Sequence, residues 1–247
     1  MSGEQLFYLE IDSRHLDAVV RINDIPVWRG NGAEQQGGGV CLNGVLHGED
    51  RLDVVGAWTR IDDNPDGRLA LTVAGYAPGD IVGVDGEPFF RDEFRDLEPN
   101  VQINQRRGLA TRISARWAWM DAPVVDPTSP GARDFIEQIA RAWRAGDAAS
   151  IFAAMAPAMA DRPGAFPLDT VEDYVARLTP TFAQPAVTTG GSPDPSEPVL
   201  RRVADGRLLE AVDATGAPYI RKTVRGGEVW SFPILIGRHG PDWAIYR

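Results

Sequence analysis

Asp62-Asp63-Asn64-Pro65-Asp66-Gly67 puts oxygen-bearing side chains on alternate positions ahead of a glycine, as in the opening of a calcium loop. A hard cation held there also needs a bidentate glutamate at the twelfth position, where this chain has Val73. The hexapeptide lies between two strand-like runs, so it reads as a polar hairpin tip and no metal is assigned. His15, His47 and His239 stand far apart beside turn-like residues, without the His/His or His/Cys spacing of a zinc site. An imidazole titrates near neutrality and can act as a general base, but each of these reads as a lone surface histidine. Cys41 would be a nucleophile only with a histidine beside it, and its apolar surroundings favour packing. Gly37-Gly38-Gly39 leads into a strand rather than a helix N-terminus and so lacks a phosphate cradle. Gly-x-Ser-x-Gly, the P-loop and the dinucleotide fingerprint are absent, and no cofactor is expected.

The elements that would position any site come from a chain of 247 residues, 43% hydrophobic and 24% charged. That is the composition of a globular protein able to bury a core without disulfides or metal. No apolar run reaches membrane-spanning length, and the first residues lack a signal-peptide pattern. With a single cysteine, cytoplasmic residence is the expectation. Residues 1–130 hold 12 basic and 21 acidic residues, a net of −9. Such a segment repels phosphate backbones, which argues against nucleic acid, and it can steer a basic partner. Lys222 is the only lysine among 25 basic residues, a bias read as genomic rather than functional.

Asp121–Gly131 contains three prolines and a glycine and reads as an extended connector. Two domains are therefore expected: an N-terminal antiparallel β-sandwich over 1–122, a proline-rich linker at 123–131, and an α+β domain over 132–247. In the first, strand-like runs occur at Leu6–Ile11, Ala18–Ile22, Ile25–Trp28, Val40–Leu42, Arg51–Thr59 and Arg68–Ala74. Asn23-Asp24 predicts a tight hairpin, and Pro26 predicts an edge strand. Gly30–Gly39 reads as a mobile loop, and Arg112–Trp119 as the clearest strand, with alternate residues on one face. Arg21–Val27 followed by Leu42–Val54 resembles the hairpin and strand entry of jelly-roll, galactose-binding-like modules, with Asp24 and Asp50 where those carry glycine and asparagine. The resemblance covers residues 20–55 and implies a noncatalytic sandwich; no sugar site carries over.

In the second domain, Phe135, Ile136, Ile139, Ala142 and Trp143 form one apolar stripe of a helix over Ala132–Ala145, stopped by Gly146, with Asp147 capping the next. That next helix runs from Ala148 to about Ala156, and a third starts at Asp169-Thr170-Val171-Glu172 and ends before Pro180. Gln184–Pro198 reads as a long loop, and an antiparallel meander sheet follows it, onto which the helices pack. Its runs are Val199–Ala204, Leu208–Val212, Tyr219–Val224, Val229–Ile236 and Trp243–Tyr246, with Asp205-Gly206 the strongest turn. Ile139–Ala149, with Gly240–Ile245 near the terminus, resembles the nuclear-transport-factor-like (cystatin-like cone) superfamily, whose members open with a helix ending in Gly-Asp and finish on a strand carrying Trp. In a cone-like domain the pocket would lie between helices and sheet. Trp143, Tyr174, Tyr219 and Trp230 would line it, with Asp147 or Arg141 nearby. The same aromatic spacing also suits an ordinary core.

Three functions follow as expectations. The first is a noncatalytic binding protein that recognises another protein; its composition is similar to cytoplasmic immunity or accessory proteins of bacterial toxin-delivery systems. The second is an isomerase- or hydrolase-like enzyme, or small-molecule binder, with its pocket in 132–247. The third is carbohydrate binding by the sandwich, through exposed rings such as Trp28 or Trp58.

Overall fold

A computed structural model of the chain describes residues 5–30, 32, 36–58, 67–94, 102–111, 115–166, 169–187 and 197–247. By its internal contacts the chain divides into two compact units. The first is Met1–Arg116 with Gly164–Leu168, and the second is Trp117–Pro163 with Asp169–Arg247. The described residues form four antiparallel sheets and four helices.

The described residues of the first unit form eight strands: β1 (Leu6–Arg14), β2 (Leu16–Ile22), β3 (Ile25–Arg29), β4 (Gln36–Cys41), β5 (Glu49–Trp58), β6 (Arg68–Tyr76), β7 (Glu87–Phe94) and β8 (Gln102–Ala110). They make two four-stranded sheets, ordered β4-β1-β6-β7 and β3-β2-β5-β8. Alternation places Leu9, Ile11, Val20, Ile22, Leu71 and Val73 in the core. Asn23 and Asp24 take φ of 53° and 63°, which turns β2 back into β3, and β3 with Pro26 is an edge strand.

Beside this hairpin, the buried Asp50 shows why a carboxylate stands at that position. It accepts from Asn23 Nδ2 (2.8 Å), His47 N–H (2.8 Å), Gly48 N–H (3.1 Å) and the Thr111 hydroxyl. Four donors converge on it, and a carboxylate accepts without offering a hydrogen in return.

Three expectations change here. Gln36–Gly39 belongs to β4, paired in register with β1, because the partner that orders these glycines lies more than twenty residues away. β7 and β8 lie outside the expected strand-like runs, because their charged and polar residues suit sheet edges and blur alternation. Residues 112–114 lie outside the described residues, and Ala118–Asp121 is a 3-10 turn rather than a strand end. Asp161 fastens that turn by accepting from Ala118 N–H at 2.8 and 3.0 Å.

In the second unit α1 (Ala132–Ala145) has the expected limits, with Ile136, Ile139, Ala142 and Trp143 buried. Gly146 ends it at φ 75°, where a Cβ would lie 2.5 Å from Ala183 O. Asp147 caps α2 (Ala148–Ala154) through Ser150 N–H at 3.1 Å. The chain bends at Met155 and enters α3 (Ala156–Ala165), a helix beyond those expected; Pro157 sits in its first turn, where a missing N–H is tolerated. Capped by Thr170, α4 (Val171–Phe182) runs through Pro180 rather than stopping before it. Burial of Phe182 against the rings of Trp143, Phe152 and Phe232 holds this last turn.

Six further strands follow: β9 (Val199–Val203), β10 (Leu208–Val212), β11 (Arg221–Thr223), β12 (Val229–Ser231), β13 (Leu235–His239) and β14 (Asp242–Ile245). They do not form one meander. The main sheet is ordered β14-β13-β10-β9, and β11-β12 is a separate hairpin. Pro233 lies in the break that divides the expected run Val229–Ile236, after which β13 pairs with β10. One core joins α1, α2 and α4 to the main sheet through Ile136, Ile139, Trp143, Ile151, Phe182, Leu209, Ile236 and Ile245. The proline-rich run also belongs to this unit. Val125 is buried in the same core, its N–H bonds Gly206 O at 2.8 Å, and Arg207 donates to Ala122 O at 2.6 Å.

Candidate functional site

Trp143, on the last turn of α1, is 2% exposed. Phe232 stacks on it at 5.0 Å, Phe182 meets it edge-on at 5.4 Å, and the Lys222 ammonium lies 3.8 Å from the ring centre. The ring has no surface left for a ligand. Trp230, on β12, reaches the same ammonium from 5.9 Å and donates to Glu228 Oε2 at 3.2 Å. Tyr219 is a core residue whose N–H bonds Ala211 O at 3.1 Å. Tyr174 is half-buried in a different setting, with the Arg162 guanidinium 3.5 Å from its ring centre and that of Arg177 at 5.6 Å. Of the four aromatics, the structure thus gathers Trp143 and Trp230 on one cation. Asp147 is spent on its helix cap, and Arg141 is exposed, 3.8 Å from Glu137.

The residue that sequence reasoning passed over is Lys222. It is 2% exposed, and Nζ donates to Gln184 O at 2.5 Å, Thr181 O at 3.1 Å and Trp143 O at 3.4 Å. Two of those carbonyls lie in the last turns of α4 and α1, where helix ends present unpaired acceptors and negative partial charge. Burial pushes the ammonium below the ordinary lysine value. The carbonyls and the indole face act in the opposite direction. A compact ammonium with three rotatable donors fits this cage, and a planar guanidinium does not. In a chain that otherwise uses arginine, that is a physical reason for lysine here.

Asp169 accepts from Arg177 at 2.6 Å and from Arg162, and the two guanidinium groups flank Tyr174. The Arg177 hydrogen bond, followed by that of Arg162, holds the Asp169 carboxyl at about 2. A value depressed below the ordinary 3.8 means stability that is present above about pH 4 and is lost as pH falls towards 2. Solvent screening limits it to about 1 kcal/mol. Asp169→Asn is therefore expected to lower the melting temperature slightly at pH 6, with the gap to the wild type narrowing as pH falls towards 2. A gap that persists unchanged at pH 2 would contradict this assignment.

The remaining candidates fall elsewhere. His15 is buried at φ 53° rather than on the surface, His47 is half-buried beside Asp50, and His239 is exposed. Cys41 is half-buried, with Sγ 3.7 Å from Asn43 Oδ1. Residues 62–66 lie outside the described residues, as does the ring of Trp58; Trp28 is half-buried and packs over Gly30. Among the described residues no cluster of His, Cys, Asp or Glu suits a metal ion, and no helix is long and apolar enough to cross a membrane.

The first unit presents a different kind of surface. Between β6 and β7, Ile81, Val82 and Val84 are 63%, 41% and 74% exposed. The loop is pinned from below, because Gly83 N–H donates to Tyr76 Oη at 2.8 Å and the Tyr76 hydroxyl also bonds Glu10. Asp80 and Asp85 shape it by accepting from Ala77 N–H (2.6 Å) and Ile81 N–H (2.9 Å), and neither has a cationic partner among the described residues. Three exposed aliphatic side chains thus stand together on an acid-rimmed loop.

No family model, curated protein or solved structure matches this chain.

Proposed function

We propose that this chain is a noncatalytic recognition protein whose partner is another protein, engaged through the first unit. The observation that carries this reading is the Ile81-Val82-Val84 surface with its carboxylates, set in a unit that holds 12 basic and 19 acidic residues, a net of −7. Exposed aliphatics supply the contact area. The surrounding charge favours a basic partner and speeds its approach at low salt. An immunity or accessory role in a bacterial toxin-delivery system is one setting of this kind.

The same reading takes the two sheets of the first unit as facing layers of a β-sandwich, supported by the alternating burial along β1, β2 and β6. It takes the second unit as an α+β layer pair of cone-like type, supported by the core that helices and sheet share.

The test is affinity capture with the wild type and with an Ile81→Asp, Val84→Asp double variant as baits. A partner retained by the wild type, released as salt rises and lost from the double variant supports the reading. Identical captures from both baits would overturn it.

A further inference from the structure

Sheet edges expose unpaired main-chain groups, and proteins shield them with proline, charge, bulges or shortness. The described edges here follow that rule with one exception. β3 carries Pro26, β7 carries Pro88 with Arg91, Asp92 and Glu93, and β8 carries Arg106 and Arg107. β9 carries Arg201 and Arg202, β11 and β12 are three residues each, and β14 is four residues long and opens on Asp242. β4, Gln-Gly-Gly-Gly-Val-Cys, has no proline, no charged residue and an unbroken register with β1, its one neighbour among the described strands. Every second residue of such a strand turns its N–H and C=O away from the sheet.

Nothing among the described residues accounts for the glycines on this edge. None of Gly37, Gly38 and Gly39 takes a positive φ, and all three are exposed. A Cβ at Gly38 would meet nothing within 4 Å. One at Gly37 would lie 3.6 Å from Ile11 O, and one at Gly39 would lie 3.6 Å from Tyr8 and 3.7 Å from Val82 Cγ1, all ordinary contacts. Glycine within a strand weakens it, and its recurring use is close approach by another backbone. The Gly39 contact also shows that the exposed loop lies alongside this edge. Gly39 pairs with Glu10, whose side chain shares the Tyr76 hydroxyl with the loop, so loop and open edge occupy the same face of the sheet.

We propose that the open edge of β4 accepts an extended, cationic segment of another protein. That segment's main chain would pair with Gly37–Val40, and its apolar side chains would rest on Val82 and Ile81. The proposal builds on the protein-recognition reading above and names the surface and the class of partner. Charge selects the occupant. Asp80 and Asp85 have no cationic partner among the described residues, and the unit's net of −7 opposes a second copy of this chain while attracting lysine and arginine. Strand addition draws affinity from main-chain hydrogen bonds and specificity from alternate side chains.

The experiment titrates isotope-labelled protein with an acetylated, amidated peptide of alternating Lys and Val and follows backbone amide resonances. Saturable shifts at Gly37–Val40 and Val82 are expected. Affinity should fall by at least about tenfold when alternate peptide amides are N-methylated on the pairing edge. It should also weaken as salt rises from about 50 to about 300 mM. Gly38→Lys, at a position where a Cβ meets nothing within 4 Å among the described residues, is expected to abolish binding while the amide spectrum elsewhere stays unchanged. Equal binding by the N-methylated peptide, or shifts confined to other strands, would overturn the proposal. So would a dimer in sedimentation that Gly38→Lys dissolves, because the occupant would then be a second copy. If the peptide fails while the Ile81/Val84 double variant still loses its captured partner, the strand-accepting edge falls and recognition through the loop stands.

Discussion

Lys222→Met is expected to destabilise the second unit by about 3 kcal/mol, although the side-chain volume is nearly conserved. Thr181 O and Gln184 O would lose the donor that reaches them, and each buried acceptor left unpaired costs about 1–3 kcal/mol. Trp143 O would keep its bond from Gly146 N–H at 3.3 Å, so it adds little. Two such acceptors amount to about 2–6 kcal/mol, and removing a desolvated ammonium returns part of that, which leaves a net of about 3 kcal/mol. Lys222→Arg is not expected to rescue stability, because the larger planar fork must displace Trp143 or the α4 terminus. Urea unfolding followed by tryptophan fluorescence reads both variants. A methionine variant as stable as the wild type would show that the three carbonyls do not depend on this lysine.

The second large effect separates a core ring from a pocket wall. Trp143→Ala is expected to cost about 4 kcal/mol, in the range of large aromatic truncations in a packed interior. The ring fills the space between Phe232, Phe182 and Lys222, and its removal leaves a cavity that three separate elements would have to close. Trp143→Phe is expected to cost about 1 kcal/mol. It keeps a ring against Phe182 and Phe232, and it removes an indole N–H that is buried without an acceptor among the described residues. Differential scanning calorimetry of the two variants gives the ordering. If alanine cost no more than phenylalanine, Trp143 would not be packed as described, and a ligand-facing role for the aromatic group would regain its footing.

Local chemistry was legible wherever a residue's own neighbours decide its conformation. The helix Ala132–Ala145 could be read from its apolar stripe and from Gly146, whose left-handed φ ends the helix. The Asn23-Asp24 hairpin could be read because both residues tolerate positive φ, and the cap on α2 because Asp147 can bond the N–H three residues on. These signals span a few residues and need no partner from elsewhere in the chain.

What only the tertiary structure decided depends on partners distant in sequence. The glycines of β4 look like a flexible loop until β1, more than twenty residues earlier, supplies the ladder. β13 leaves the hairpin order to pair with β10, since burial of Ile236 against Leu209 is settled by the core and not by the adjoining turn. Phe182 carries α4 past Pro180 because three rings from other elements bury it. Asp50 gathers donors from three segments of the first unit, and the cage around Lys222 draws on carbonyls up to 79 residues away. Sequence periodicity reports which face of an element is apolar; it does not report which distant acceptor a buried cation will find, or which edge of a sheet will be left open. Here the sequence by itself determined the limits of α1, the cap of α2, the Asn23-Asp24 turn and the acidic balance of the first half, because these follow from local sterics and charge. The caged lysine and the open β4 edge were decided by folding alone, because both are made of groups that meet only when the chain is closed.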